Sequence, residues 1–141
     1  MTNADKLSSI FQLTTLETYI MDKVNPNLSI DFRGQVVVAT LTDEKILDEN
    51  QLQSLEGSFL PLIKQTPGIQ LIISFENVQF LTSSVLGLLI RISKNVYEQD
   101  GTLRLCSIDP KIQDVFRITR LDKIFDIQPR VEDAMIGLKR S

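Results

Sequence analysis

The apolar run Leu71-Ile72-Ile73 constrains the fold more than any other feature of the chain. A continuous run of this kind suits a strand covered on both faces. Beyond it, Val85, Leu88, Leu89, Ile92 and Val96 recur at helical spacing and form one apolar stripe. Residues 102–107 (TLRLCS) then alternate as a second strand. Strand, helix and strand in that order make a crossover unit, whose two strands lie parallel in one sheet.

The flanking segments extend the same plan. Residues 28–32 (LSIDF) alternate apolar and polar, Arg33-Gly34 supplies a turn, and residues 35–41 (QVVVATL) are rich in β-branched side chains. They predict a β-hairpin. Residues 48–65 carry Leu52, Leu55, Phe59, Leu62 and Ile63 on one helical face, with Asp48 and Gln51 spaced as a capping box. Gly57 and Pro61 weigh against an unbroken helix there. A short apolar stretch at 78–81 leads into the central helix, and Gly101 is spaced as its left-handed C-terminal cap. Asp109-Pro110 starts a helix carrying Ile112, Val115 and Phe116. Residues 126–128 predict an edge strand and residues 131–138 a closing helix. The fold class is therefore α/β: a mixed sheet of four to five strands, opened by the hairpin, with about four helices packed mainly on one face.

Residues 1–27 stand apart as an N-terminal extension ahead of a domain spanning 28–141. Leu7, Ile10, Phe11, Leu13, Leu16 and Ile20 fit helical spacing. An amphipathic helix of that kind is suited to pairing two copies as a homodimer, or to covering its own sheet.

Composition removes function classes. The chain of 141 residues has no histidine, which excludes Ser-His-Asp and Cys-His nucleophile pairs and imidazole zinc motifs. A single cysteine, Cys106, excludes thiolate clusters and internal disulfides. Its parity, opposite to Leu103 and Leu105, predicts a buried or boundary small residue. A net charge of −3 with no basic stripe speaks against nucleic acid as a partner. No apolar run reaches membrane length, and residues 1–7 lack a secretion pattern, so a cytoplasmic protein is expected. Asp43, Glu44, Asp48 and Glu49 lack EF-hand spacing and read as a solvated loop and helix start. Phosphate-loop and dinucleotide patterns are absent. The expectation is a protein without metal or cofactor, and not an enzyme.

The stretch Thr82-Ser83-Ser84-Val85-Leu86-Gly87 lies where a strand gives way to the central helix. Consecutive hydroxyls there are natural caps for the free amides of the first turn. The same position leaves a hydroxyl at the positive end of the helix dipole, where an added phosphate meets those amides. Phosphorylation adds about −1.5 to −2 charges at neutral pH, enough to switch a docking surface. As a hydrolase nucleophile Ser84 fails: the elbow wants glycine two residues to either side, and the chain offers Thr82 and Leu86.

Several motifs in fixed order carry a resemblance. They are Ile73-Ser74-Phe75-Glu76-Asn77-Val78, then Thr82-Ser83-Ser84-Val85-Leu86-Gly87, then Asp100-Gly101-Thr102-Leu103-Arg104-Leu105-Cys106, then Leu121-Asp122-Lys123-Ile124-Phe125-Asp126-Ile127. From about Leu28 to Met135 the chain resembles STAS domains, and within them the anti-sigma factor antagonists. The resemblance implies that Ser84, the second serine of the pair, is a phosphoacceptor, with Ser83 as the alternative. It further implies an anti-sigma factor with serine-kinase activity as partner. The unphosphorylated form would dock that partner through Thr82, Ser83, Ser84, Val85, Leu86 and Arg91, and phosphorylation would release it.

Three positions depart from the family's pattern. Thr82 stands for its Asp before the serine pair, Val85 for its Gly after the pair, and Ser74 for its earlier Asp. Leu47-Asp48 is the nearest match to its Gly-x-Leu-Asp. Val85 places a β-branched side chain beside the acceptor, in the way of an approaching kinase. The departures define the alternative reading, a STAS adaptor that is never phosphorylated and serves a signalling or transport assembly.

Overall fold

The computed structural model describes residues 27–138. The helix expected over the N-terminal extension lies outside the described residues, Asn27 apart, as do residues 139–141. The hairpin forms as the sequence predicts, from β1 (Leu28–Arg33) and β2 (Val36–Leu41). Arg33 pairs with Val36, which leaves a two-residue loop, and Gly34 takes the left-handed conformation at φ 62°. Glycine adopts that conformation without a Cβ penalty.

Two further strands, β3 (Lys45–Ile46) and β5 (Phe80–Leu81), form a separate parallel pair. The main sheet adds β4 (Gln70–Ser74), β6 (Thr102–Cys106) and β7 (Asp126–Gln128) to the hairpin. Its order is β1-β2-β4-β6-β7, with β1 antiparallel to β2 and every other neighbour parallel. The sheet is thus mixed and five-stranded.

Of the helices, α1 (Glu49–Lys64) carries the capping box read from sequence: the Gln51 amide donates to Asp48 Oδ1 at 2.8 Å, and the Asp48 amide to Gln51 Oε1 at 3.1 Å. The helix runs unbroken as its apolar face predicts, with Pro61 inside it. The carbonyl its ring would crowd, four residues back, belongs to Gly57, whose backbone yields most readily.

The central helix, α2 (Ser83–Glu98), closes in a Schellman motif. The Asp100 amide donates to Tyr97 O and the Gly101 amide to Val96 O, at 3.0 and 2.9 Å. The left-handed residue is Asp100, at φ 57°, and not Gly101 as the spacing suggested. Gly101 is required by space: a Cβ there would stand 2.5 Å from the Ile69 carbonyl oxygen.

Helix α3 (Pro110–Ile118) starts at the Asp109 cap, whose carboxylate accepts from the Lys111 amide at 2.9 Å. A short 3-10 turn, Leu121–Lys123, comes after it.

Strand parity divides the core in two. Val37, Ala39, Leu71, Ile73, Leu103 and Leu105 face α1, α2 and α3 in the large core. Val36, Val38, Ile72 and Cys106 face the opposite side, where Ala134 and Met135 cover them. That cover is the short helix α4 (Val131–Ala134), briefer than the closing helix expected over 131–138. Arg104 draws the chain out of helix there: its Nη1 donates to the carbonyls of Ala134 and Ile136, and Gly137 turns left-handed at φ 84°. Among the described residues, three helices lie on one face of the sheet and one turn of helix on the other.

Candidate functional site

The β3–β5 pair sets the start of the central helix. The Thr82 amide donates to Ile46 O at 3.3 Å, which ties the junction to the strand before α1. Thr82 is extended, with φ −92° and ψ 166°, the geometry of an N-cap. Its side chain makes no capping hydrogen bond, so the hydroxyl cap expected here is not supplied by Thr82.

Ser83 and Ser84 are exposed. Val85 and Leu86, expected on the partner-facing surface, are 1% and 7% exposed and belong to the large core. The Val85 side chain therefore does not stand in front of the acceptor, because consecutive helical residues point about 100° apart. The obstacle that its β-branch suggested in the sequence is turned inward.

Ser84 opens into a groove of about 240 Å³ between α1 and α2, with Gly87 and Arg91 on its own helix and Glu49, Leu52 and Glu56 opposite. Arg91 Nε lies 2.9 Å from Glu56 Oε2, and Arg91 Nη2 3.5 Å from Oε1. The arginine is 54% exposed and the glutamate 32%. Pairs this open to water contribute about 0–1 kcal/mol. The groove thus holds a serine hydroxyl, an arginine and two carboxylates within one shallow, solvated space.

Beside the junction lies a feature the sequence does not disclose. Phe80 is 44% exposed, and the ammonium groups of Lys45 and Lys111 stand 5.4 and 5.6 Å from its ring centre. Cations at that range are drawn to the ring face. The three residues come from β5, β3 and the start of α3, so no local pattern announces them.

The acidic residues between β2 and α1 have structural duties. Asp43 accepts from Asn27 and from Gln51, and Asp48 caps α1. Cys106 is fully buried, as its parity predicted, and burial pushes its thiol pKa up against the opposing pull of hydrogen bonds to Ser107 and Ser74. Ser74 itself is buried, with Oγ accepting from the Glu76 amide at 3.4 Å.

Comparison with known proteins agrees with this architecture. The family model "STAS domain" matches residues 27–134. The chain is 22% identical over 116 residues to an anti-sigma F factor antagonist of Paenibacillus polymyxa, covering 82% of this chain and 97% of that protein. It is similar in structure to an anti-sigma-factor antagonist (STAS) domain protein from Planctomyces limnophilus, with a TM-score of 0.71 at 23% identity over 78% of this chain and 96% of that one. It is also similar to the Bacillus cell fate determinant SpoIIAA in the phosphorylated form, with a TM-score of 0.59 at 19% identity over 74% of this chain and 94% of that one. With a mixed sheet opened by a hairpin, a serine pair at the start of the central helix and a family match over most of its length, the chain belongs to the STAS domain family.

Proposed function

We propose that the protein is a regulatory docking module that binds an anti-sigma factor with serine-kinase activity and is released when Ser84 is phosphorylated. The observation that carries this reading is the exposure of Ser84 at the start of α2, where it opens into the groove against α1. A phosphate there meets the positive end of the helix dipole and adds about −1.5 to −2 charges to a surface the partner must cover. Ser83, also exposed, is the alternative acceptor. That a SpoIIAA is known in a phosphorylated form supports the same chemistry on this fold.

The reading makes the protein a binding partner and not an enzyme, acting in the cytoplasm without nucleic acid. Among the described residues no helix is long and apolar enough to cross a membrane. Thr82, Ser83, Ser84 and Arg91 are the side chains that would meet the partner. Val85 and Leu86 support them from beneath. The 1–27 extension is the segment through which two copies would pair.

The test is incubation with the cognate kinase and ATP, followed by mapping of phosphate by mass spectrometry. Modification of Ser84, and loss of partner binding with it, is the expected result. An active kinase that leaves both Ser83 and Ser84 unmodified removes the switch. One observation favours the adaptor reading instead: Thr82 supplies neither a carboxylate nor a side-chain cap at the junction. On that reading Ser84→Ala and the unaltered protein bind their partner equally whatever the kinase does.

A further inference from the structure

We infer that Arg91 is the internal receptor for a phosphate on Ser84, and that it reaches the phosphate by leaving Glu56. The inference rests on the reading of Ser84 as the acceptor, and adds how the modification is registered by the fold.

Three observations on α2 carry it. Ser84 and Gly87 are three residues apart, so they lie on one face of the helix about 5–6 Å apart. Arg91 folds back over that same turn: a Cβ on Gly87 would stand 3.8 Å from Arg91 Nη1. Ser84, Gly87 and Arg91 all line the one groove. Gly87 has no side chain, so nothing on its own turn separates the guanidinium from the acceptor. A serine phosphate extends roughly 4 Å beyond its Cβ, a reach on the scale of the space that Gly87 leaves open between Ser84 and the guanidinium.

The present partner of Arg91 is easily displaced. Its pair with Glu56 is solvated at 54% and 32% exposure. Against one carboxylate, a phosphate offers nearly twice the charge and three acceptor oxygens. Guanidinium groups engage phosphate through paired N–H bonds. The exchange leaves Glu56 without its cation and strips a charged link between α1 and α2 across this groove. Before modification Glu49, Glu56 and Arg91 sum to a formal −1, and afterwards to about −3. Acidic groups of a partner that faced Arg91 before modification then meet a phosphate and a freed carboxylate, and are repelled.

The experiment installs phosphoserine at position 84 during synthesis of the full chain, so that no kinase is involved. The second ionisation of the phosphate is then tracked by phosphorus NMR across pH. In Arg91→Ala the phosphate is expected to titrate about half a pH unit higher than in the otherwise unaltered phosphoprotein. In Glu56→Gln, where the arginine has no rival, it is expected to titrate a few tenths of a unit lower. Arg91→Lys, which keeps the charge and loses the fork, falls between the first two proteins. A phosphate that titrates identically with and without Arg91 overturns the inference, and an unchanged value in Glu56→Gln overturns the exchange. Neither outcome touches whether a kinase modifies Ser84, which the mass-spectrometric mapping decides separately.

Discussion

Ser84 and Val85 are neighbours in the chain and opposites in the fold. Ser84 is exposed in the groove against α1, whereas Val85 is 1% exposed in the core beneath the same helical turn. The position at which the family carries glycine is thus occupied here by a packed side chain. Replacing Val85 with glycine removes its buried methyls and adds glycine's helix cost, a combined loss of about 2–3 kcal/mol. Urea unfolding of Val85→Gly is expected to show that loss with an unchanged slope. If stability holds, Val85 is not part of the core and the groove's floor needs another account.

At the residue before the pair the opposite effect is expected. Thr82 has N-cap backbone geometry without a side-chain cap, and the first turn of α2 has no acidic residue. Thr82→Asp supplies a carboxylate that accepts from the free amides and faces the positive dipole end. The gain is about 0.5–1 kcal/mol, diminishing as salt is raised. Thermal unfolding at two ionic strengths separates the cap from the dipole, since only the second is screened. A variant no more stable than the parent would mean that the orphan amides are already satisfied.

Two glycines make a matched test of backbone freedom against space. Gly57 is exposed inside α1, and a Cβ there meets nothing within 4 Å. Gly57→Ala is expected to stabilise by about 0.5–1 kcal/mol, since alanine loses less freedom on folding. Gly101→Ala places its methyl 2.5 Å from Ile69 O and about 3 Å from the Ile69 and Val96 side chains. Strands β4 and β6 must part to admit it, at a cost of about 1–3 kcal/mol. Equal effects from the two substitutions would contradict the close packing of Gly101 against Ile69 and Val96.

Those two positions also mark what can be read from sequence. The capping box of Asp48 and Gln51 and the Asp109-Pro110 start are legible because every group in them lies within one turn. The alternation Leu103, Leu105 against Cys106 assigns faces correctly because strand parity is local. Gly101 is misread as a conformational glycine because its real constraint is a carbonyl 32 residues earlier. Ser84 is identified by its place between strand and helix, yet its groove is not, since Arg91 meets Glu56 across 35 residues. The exposure of Phe80 between two lysines is hidden for the same reason. A short apolar stretch looks alike whether it enters the core or caps it.

The buried thiol gives stability a dependence on alkaline pH. Burial among Val36, Val38, Ile72 and Ala134 penalises the Cys106 thiolate and raises its pKa, while hydrogen bonds to Ser107 and Ser74 act the other way. In the unfolded chain the thiol ionises near its ordinary value, about 8.5. The unfolded state therefore sheds its proton first as pH rises, and the folded state loses ground. The contribution is whole below about pH 8.5 and declines from there toward the raised folded value. Cys106→Ala loses a small buried group at every pH but has no thiol to ionise. The stability gap between the parent and Cys106→Ala is expected to narrow as pH rises from 8 to 9.5. Comparison of the two proteins cancels the lysines and tyrosines that titrate in the same range. A gap that stays constant would mean that the thiolate is as well accommodated inside the fold as in water, against the apolar surface that covers it.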